Sequence, residues 1–168
     1  MLPGLWAVLI SGCGYHSVYA QPESARLSVQ VGLVLVPEAA AAQSVASGAR
    51  AELAGSGLLA GGNEGSRLLI DVLRVDEGSR GLHVESGKPV AGGMSVAVTA
   101  RGRVFKGDAQ EPVLDTGDVR RAVQVTGDAD PRADSAAYDQ CLRAAAERAG
   151  RAIARVAQGI PEPADETP

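Results

Sequence analysis

Leu27-Ser28-Val29-Gln30-Val31-Gly32-Leu33-Val34-Leu35-Val36-Pro37-Glu38 decides how the chain folds. Leu27, Val29, Val31, Leu33 and Leu35 alternate with Ser28, Gln30 and Gly32, a period of two that sets one row of side chains on a core and defines a strand. The end of the run, Val34-Leu35-Val36, is apolar on both sides, which predicts a central place in a sheet. Pro37 stops the strand and suits the first turn of a helix, with Glu38 near the positive end of the helix dipole. The helix is predicted over Glu38 to Ala54: Ala41, Val45, Ala49 and Leu53 recur every four residues, while Gln43, Ser47, Arg50 and Glu52 lie largely off that stripe. Gly55, Gly57, Gly61 and Gly62 end it and open a loop.

Downstream, Arg67 to Val75 reads as a second strand, with Leu68, Ile70 and Val72 on one face, Leu69, Leu73 and Val75 on the other, and Asp71 interrupting. Gly78 to Gly93 is a polar, glycine-punctuated connection long enough to protrude. A third strand, Met94 to Phe105, turns Met94, Val96 and Val98 inward and sets Ser95, Thr99, Arg101 and Arg103 opposite. After Lys106-Gly107-Asp108 and Pro112 comes a fourth strand, clearest from Val119 to Thr126. A final helix, capped by Asp134 or Ser135, gathers Tyr138, Cys141, Leu142, Ala145, Ala149, Ala152, Ile153 and Val156 into one arc. Asp139, Arg143, Glu147, Arg148, Arg151 and Arg155 fall on its other side. Gly159 and Pro161 end it, and Pro161 to Pro168 reads as a disordered acidic tail. The order β-α-β-β-β-α, with each helix apolar on a single side, predicts an α+β fold: a two-layer sandwich with two helices on one face of a four-stranded mixed sheet.

Upstream, the apolar run Leu5 to Ile10 is far too short to span a bilayer, and it is followed by Ser11, Gly12 and Cys13. Ile10-Ser11-Gly12-Cys13 resembles the lipobox of a bacterial lipoprotein signal peptide. The small side chains fit a peptidase cleft, and the Cys13 thiol accepts a diacylglyceryl group. The resemblance implies a signal peptide over 1–12, a lipidated N-terminus and tether over 13–26, a single domain over 27–160 and the tail over 161–168. Two or more acyl chains, palmitate among them, hold a protein stably on a membrane where one holds it only marginally. Gly14 follows the cysteine where Asp commonly marks inner-membrane retention, which implies the outer membrane and a periplasm-facing domain.

Composition narrows the function further. All Lys, Arg, Asp and Glu residues follow Cys13, and the net charge is -4, so the basic surplus of a nucleic-acid binder is missing. With Cys13 lipidated, Cys141 has no partner for a disulfide and is expected to be buried and inert. The aromatic content of 3% and the 21 glycines predict a core of small side chains. His16 and His83 do not assemble into a nucleophile, base and orienter, nor into a metal site, so no enzyme activity, metal or cofactor is expected. Asp128, Asp130 and Asp134 suggest a calcium loop, but Pro131 breaks the alternation and the central glycine and closing Glu are missing. Gly61 to Ser66 lacks the Lys-Ser/Thr ending of a phosphate loop. Arg101, Arg103 and Lys106, with Arg120 and Arg121 near in sequence, admit two readings: a phosphate-binding concentration of charge, or strand charges that discourage edge aggregation.

Cys13-Gly14-Tyr15-His16 is similar to the start of the lipopolysaccharide-assembly lipoproteins of the LptE family, and the element order matches that family's fold. The resemblance implies a partner, the LptD-like outer-membrane β-barrel that such a protein partly plugs, and a role in delivering lipopolysaccharide to the outer leaflet. It also implies contact with lipopolysaccharide phosphates through basic residues on the sheet, for which Arg101, Arg103 and Lys106 are the counterparts. The main alternative is another periplasm-facing adaptor lipoprotein, one that activates a cell-wall synthase or belongs to a secretion apparatus. A lipid-anchored hydrolase would need a convergent polar pocket, for which the sequence offers no triad or carboxylate pair.

Overall fold

A computed structural model describes residues 26–62, 65–79, 83–85, 88–90, 93–125 and 131–161. The expected signal peptide, Cys13, His16 and the tether up to Ala25 lie outside these residues, as do Asp128, Asp130 and the tail beyond Pro161. The described elements are β1 (Leu27–Val34), α1 (Ala39–Gly55), β2 (Ser66–Ser79), β3 (His83–Glu85), β4 (Lys88–Val90), β5 (Met94–Lys106), β6 (Leu114–Val125) and α2 (Pro131–Ala157).

β1, β2, β5 and β6 form one four-stranded sheet in that spatial order, with β1 parallel to β2 and the other pairs antiparallel. Both helices lie on one face, α2 over β5 and β6 and α1 against β1 and α2. The predicted mixed, two-layer α+β sandwich is therefore the fold. Inside the expected Gly78–Gly93 loop, Gly78 and Ser79 complete β2, and β3 pairs with β4 as a small antiparallel ribbon.

Two expectations are corrected. β1 is an edge strand, not a central one. The α1 crossover sets β1 parallel to β2 on one side, and β5 and β6 then add antiparallel on the other. The apolar end of the strand consequently faces solvent: Val31 is 40% exposed, Leu33 55%, Val34 38% and Leu35 61%. The last helix also starts earlier than Asp134, at Pro131. Proline is well placed there, since an N–H at the first helical position has no intrahelical partner to lose.

The core follows from the two periodicities. Leu68, Ile70 and Val72 of β2, Val96, Val98, Ala100 and Val104 of β5, and Val119 of β6 point at the helices and are buried. Ala41, Val45, Ala49 and Leu53 of α1 are wholly buried, as their spacing requires. From α2, Cys141, Leu142, Ala145, Ala149, Ala152 and Ile153 are buried, with Tyr138 and Val156 half-buried. The helices touch through small residues. A Cβ on Gly48 would overlap the Glu147 carbonyl, and one on Gly150 would overlap that of Val45. The two backbones thus meet directly, which broadens each buried stripe to take in Ala42, Ala46, Ala146 and Ala154. Arg155 closes the crossing by donating from Nε to Glu52 Oε1 at 2.7 Å.

Candidate functional site

Among the described residues no helix covers the second face of the sheet, and Arg101 and Arg103 both lie on it. Strand alternation requires this, because the intervening β5 positions point at α2. Neither guanidinium is unpaired. Arg101 makes a bidentate contact with Asp115 of β6, Nε to Oδ1 at 2.8 Å and Nη2 to Oδ2 at 2.7 Å, with Asp118 Oδ1 3.8 Å away. Arg103 reaches the opposite way and donates from Nη2 to Asp71 Oδ2 of β2 at 2.5 Å.

Local irregularities aim these carboxylates. Between Arg101 and Arg103, β6 spends one residue more than β5, since Asp118 and Asp115 are the respective partners. In that bulge the Gly102 N–H donates to Thr116 Oγ1 at 2.9 Å, and the Gly117 N–H to Asp115 Oδ1 at 2.9 Å. The Arg101 hydrogen bond, reinforced by the Gly117 N–H, holds the Asp115 carboxyl below the usual carboxylate range. A second bulge lies in β1, which spends three residues from Val31 to Val34 while β2 spends two. There the Leu33 N–H donates to Asp71 Oδ1 at 2.8 Å. Gly32 is required beside it, because a Cβ would overlap that same oxygen. Asp71, only 5% exposed, therefore ties three strands together: its own, the bulge of β1 and Arg103 of β5.

Further along the face, Arg74 Nε lies 3.0 Å from Asp76 Oδ1 and Arg120 Nε 3.8 Å from Asp76 Oδ2. At the opposite end Arg67 lies over the Phe105 ring, 5.0 Å from its centroid. Lys106 is exposed at the end of β5, and alternation turns it away from Arg101 and Arg103. The fold thus brings two of the three expected basic residues together, adds Arg120, and leaves Lys106 apart. The sequence reading missed Asp71, Asp115 and Asp118 as partners; its single signal was the lone Asp71 in an otherwise apolar strand.

Elsewhere, burial and the Glu77 hydrogen bond push the Tyr138 phenol up to about 12. Cys141 is buried and free, as expected. Among the described residues no cluster of three His, Cys, Asp or Glu could hold a metal ion, and no helix is long and apolar enough to cross a membrane. Among the described residues, one open depression lies along α2 beside Asp139, Arg143 and Glu147, and another at the helix ends beside Gly55, Gln158 and Ile160. The open face is a ladder of alternating charges rather than a pocket.

This architecture recurs in solved structures. A candidate lipoprotein from Caulobacter crescentus CB15 superposes with a TM-score of 0.54 at 14% identity, covering 82% of this chain and 89% of that one. A minor lipoprotein from Acinetobacter baumannii gives 0.55 at 11% identity, over 81% and 92% of the two chains. The fold is one that bacterial lipoproteins use. No family model and no curated protein matches the sequence.

Proposed function

We propose that the protein is a lipid-anchored, periplasm-facing lipoprotein of the outer membrane. It acts in lipopolysaccharide assembly by partnering an LptD-like β-barrel, in the manner of the LptE family. The observation that carries the reading is the shared β-α-β-β-β-α sandwich, matched over about four-fifths of the chain by a bacterial lipoprotein. The Cys13-Gly14-Tyr15-His16 sequence just ahead of the domain supports it. In this role the chain is a binding partner rather than an enzyme. The open sheet face suits such work: Arg101 already sits in bidentate geometry on Asp115, the arrangement by which a guanidinium also receives a phosphate group.

Three measurements test the proposal together. Mass spectrometry of the mature protein is expected to find Cys13 as an acylated N-terminus. Affinity purification from outer membranes is expected to bring down a large heat-modifiable β-barrel, and depletion to lower surface lipopolysaccharide. An unmodified Cys13 removes the anchor. Normal lipopolysaccharide export after depletion removes the function, and co-purification of a penicillin-binding protein instead of a barrel favours the adaptor reading.

A further inference from the structure

We infer that the outer edge of β1 from Val31 to Leu35 is where a segment of the partner barrel protein adds to the sheet, as an extended, uncharged strand. The identity of that partner rests on the proposed function; the location and chemistry of the surface rest on the sheet itself.

The two edges of the sheet are built differently. Both edge strands carry a bulge, β1 between Val31 and Val34 and β6 at Thr116–Gly117, but β6 also carries Asp115, Asp118, Arg120 and Arg121, and charges of this kind are a usual protection against unwanted strand pairing. From Leu27 to Pro37 the β1 edge has no charged residue at all. Its first half is closed by the chain itself. The Leu27 N–H donates to the Leu58 carbonyl at 2.8 Å, the Ala60 N–H donates to the Leu27 carbonyl at 3.0 Å, and Arg50 Nη2 donates to the Val29 carbonyl at 3.1 Å. By alternation the N–H and C=O of Val31 face the same way, yet among the described residues nothing carries the cover past Val29. At that point the exposed Val31, Leu33, Val34 and Leu35 begin.

The open stretch is also held in shape. Asp71 fixes the Leu33 N–H, and the Leu35 N–H donates to the Val72 carbonyl at 2.9 Å, so a partner meets a preorganised edge. A second copy of the chain fits poorly. Four partly exposed aliphatic side chains make a patch of a few hundred Å², short of the roughly 800 Å² per partner that a stable dimer buries. Strand addition needs less area, because main-chain hydrogen bonds supply the affinity and side-chain pockets the specificity. The incoming strand must be uncharged, since β1 has no counter-charge to offer and burying an unpaired charge is costly.

The test places a photo-crosslinking residue at Leu33 or Leu35, and for comparison at Ala122 or Gln124 on β6, in the full-length chain in its native membrane. Cross-links to the heat-modifiable barrel are expected from Leu33 and Leu35 and not from β6. The L33K/L35K double variant should recover at least tenfold less barrel while its circular-dichroism melting curve stays unchanged. Barrel cross-links from β6 alone, cross-links from β1 to a second copy or to lipid, or full barrel recovery by L33K/L35K would overturn the inference and leave the proposed function standing. If the unsubstituted chain recovers no barrel, the proposed function falls, and the partner named here falls with it.

Discussion

Replacing Gly150 by Ala puts the helix crossing to a direct test, because local propensity and packing push in opposite directions. Alanine is favoured over glycine inside a helix by about 1 kcal/mol, so an unpacked helix would gain. In this protein the new methyl would overlap the Val45 carbonyl and crowd the Ala49 backbone nitrogen, 2.9 Å from the added carbon. Backbone atoms have no rotamer in which to retreat, so α1 must move away from α2 by about 1 Å to restore van der Waals separation. Overpacking of this kind costs about 1–3 kcal/mol, and rigid backbone contact belongs at the upper end. Less the propensity gain, the net loss is about 2 kcal/mol, which at roughly 4 °C per kcal/mol for a domain of this size lowers the melting temperature by about 8 °C. G48A, which meets the Glu147 carbonyl, should behave alike. Gly55, in the last turn of α1, has nothing within 4 Å of its added Cβ, so G55A should be neutral or raise the melting temperature by about 2 °C. Thermal denaturation followed by circular dichroism reads all three. A G150A protein melting at or above the parent would refute the direct backbone contact and the helix packing built on it.

Asp71→Asn should destabilise the fold by about 2–3 kcal/mol, because it weakens the hold on the Leu33 N–H and leaves Arg103 without its counter-charge; urea denaturation measures the loss, and hydrogen exchange should show the Leu33 amide opening faster than in the parent. Arg101→Ala should leave the urea-denaturation midpoint essentially that of the parent, as expected for an exposed pair, and should weaken binding to lipopolysaccharide-containing vesicles if the open face receives phosphate. Tyr138 should ionise near pH 12, visible in an ultraviolet titration as a late step that Tyr138→Phe abolishes. Its folded value lies above the ordinary value of 10.0, so the stability it contributes is fully present below that pH and is lost as pH rises through about 12.

The layers of the fold were legible because they depend on periodicity. The four-residue stripe of α1 and the arc of α2 marked their buried faces, and the alternation in β5 put Arg101 and Arg103 on the face away from the helices. The small residues Ala46, Gly48, Ala146 and Gly150 were not legible as core. Each lies off the stripe that faces the sheet and is buried only because the other helix presses on it, a relation between segments about a hundred residues apart. The position of β1 was misread for a related reason. An apolar run on both sides usually means cover on both sides, and no local signal separates a strand buried by neighbours from one left open at an edge. The ion pairs of the open face were hidden by the bulges. One extra residue in β6 brings Asp115 to Arg101, and one in β1 brings the Leu33 N–H to Asp71, so pairs 14 and 38 residues apart meet in registers that spacing alone does not reveal.

The two arginines that sequence reading grouped together have different tasks. Arg101 is 44% exposed and its partner Asp115 35%, so solvent screens the pair and its net contribution to stability is small. On the proposed function, a phosphate group would replace Asp115 at Arg101, with Arg120, now beside Asp76, on the same face. Arg103 cannot be recruited in that way. Its carboxylate, Asp71, is 8% exposed at the side chain, and drawing Arg103 off would strand a buried charge, a loss of about 3–5 kcal/mol for a fully buried pair and somewhat less beside a half-exposed guanidinium. The same carboxylate holds the Leu33 N–H, so Arg103 acts on the β1 edge rather than on a ligand of the sheet face. Under the proposed function Arg101 is then the residue through which the open face would meet phosphate, whereas Arg103, through Asp71, keeps the uncharged edge in the shape that a partner strand would meet.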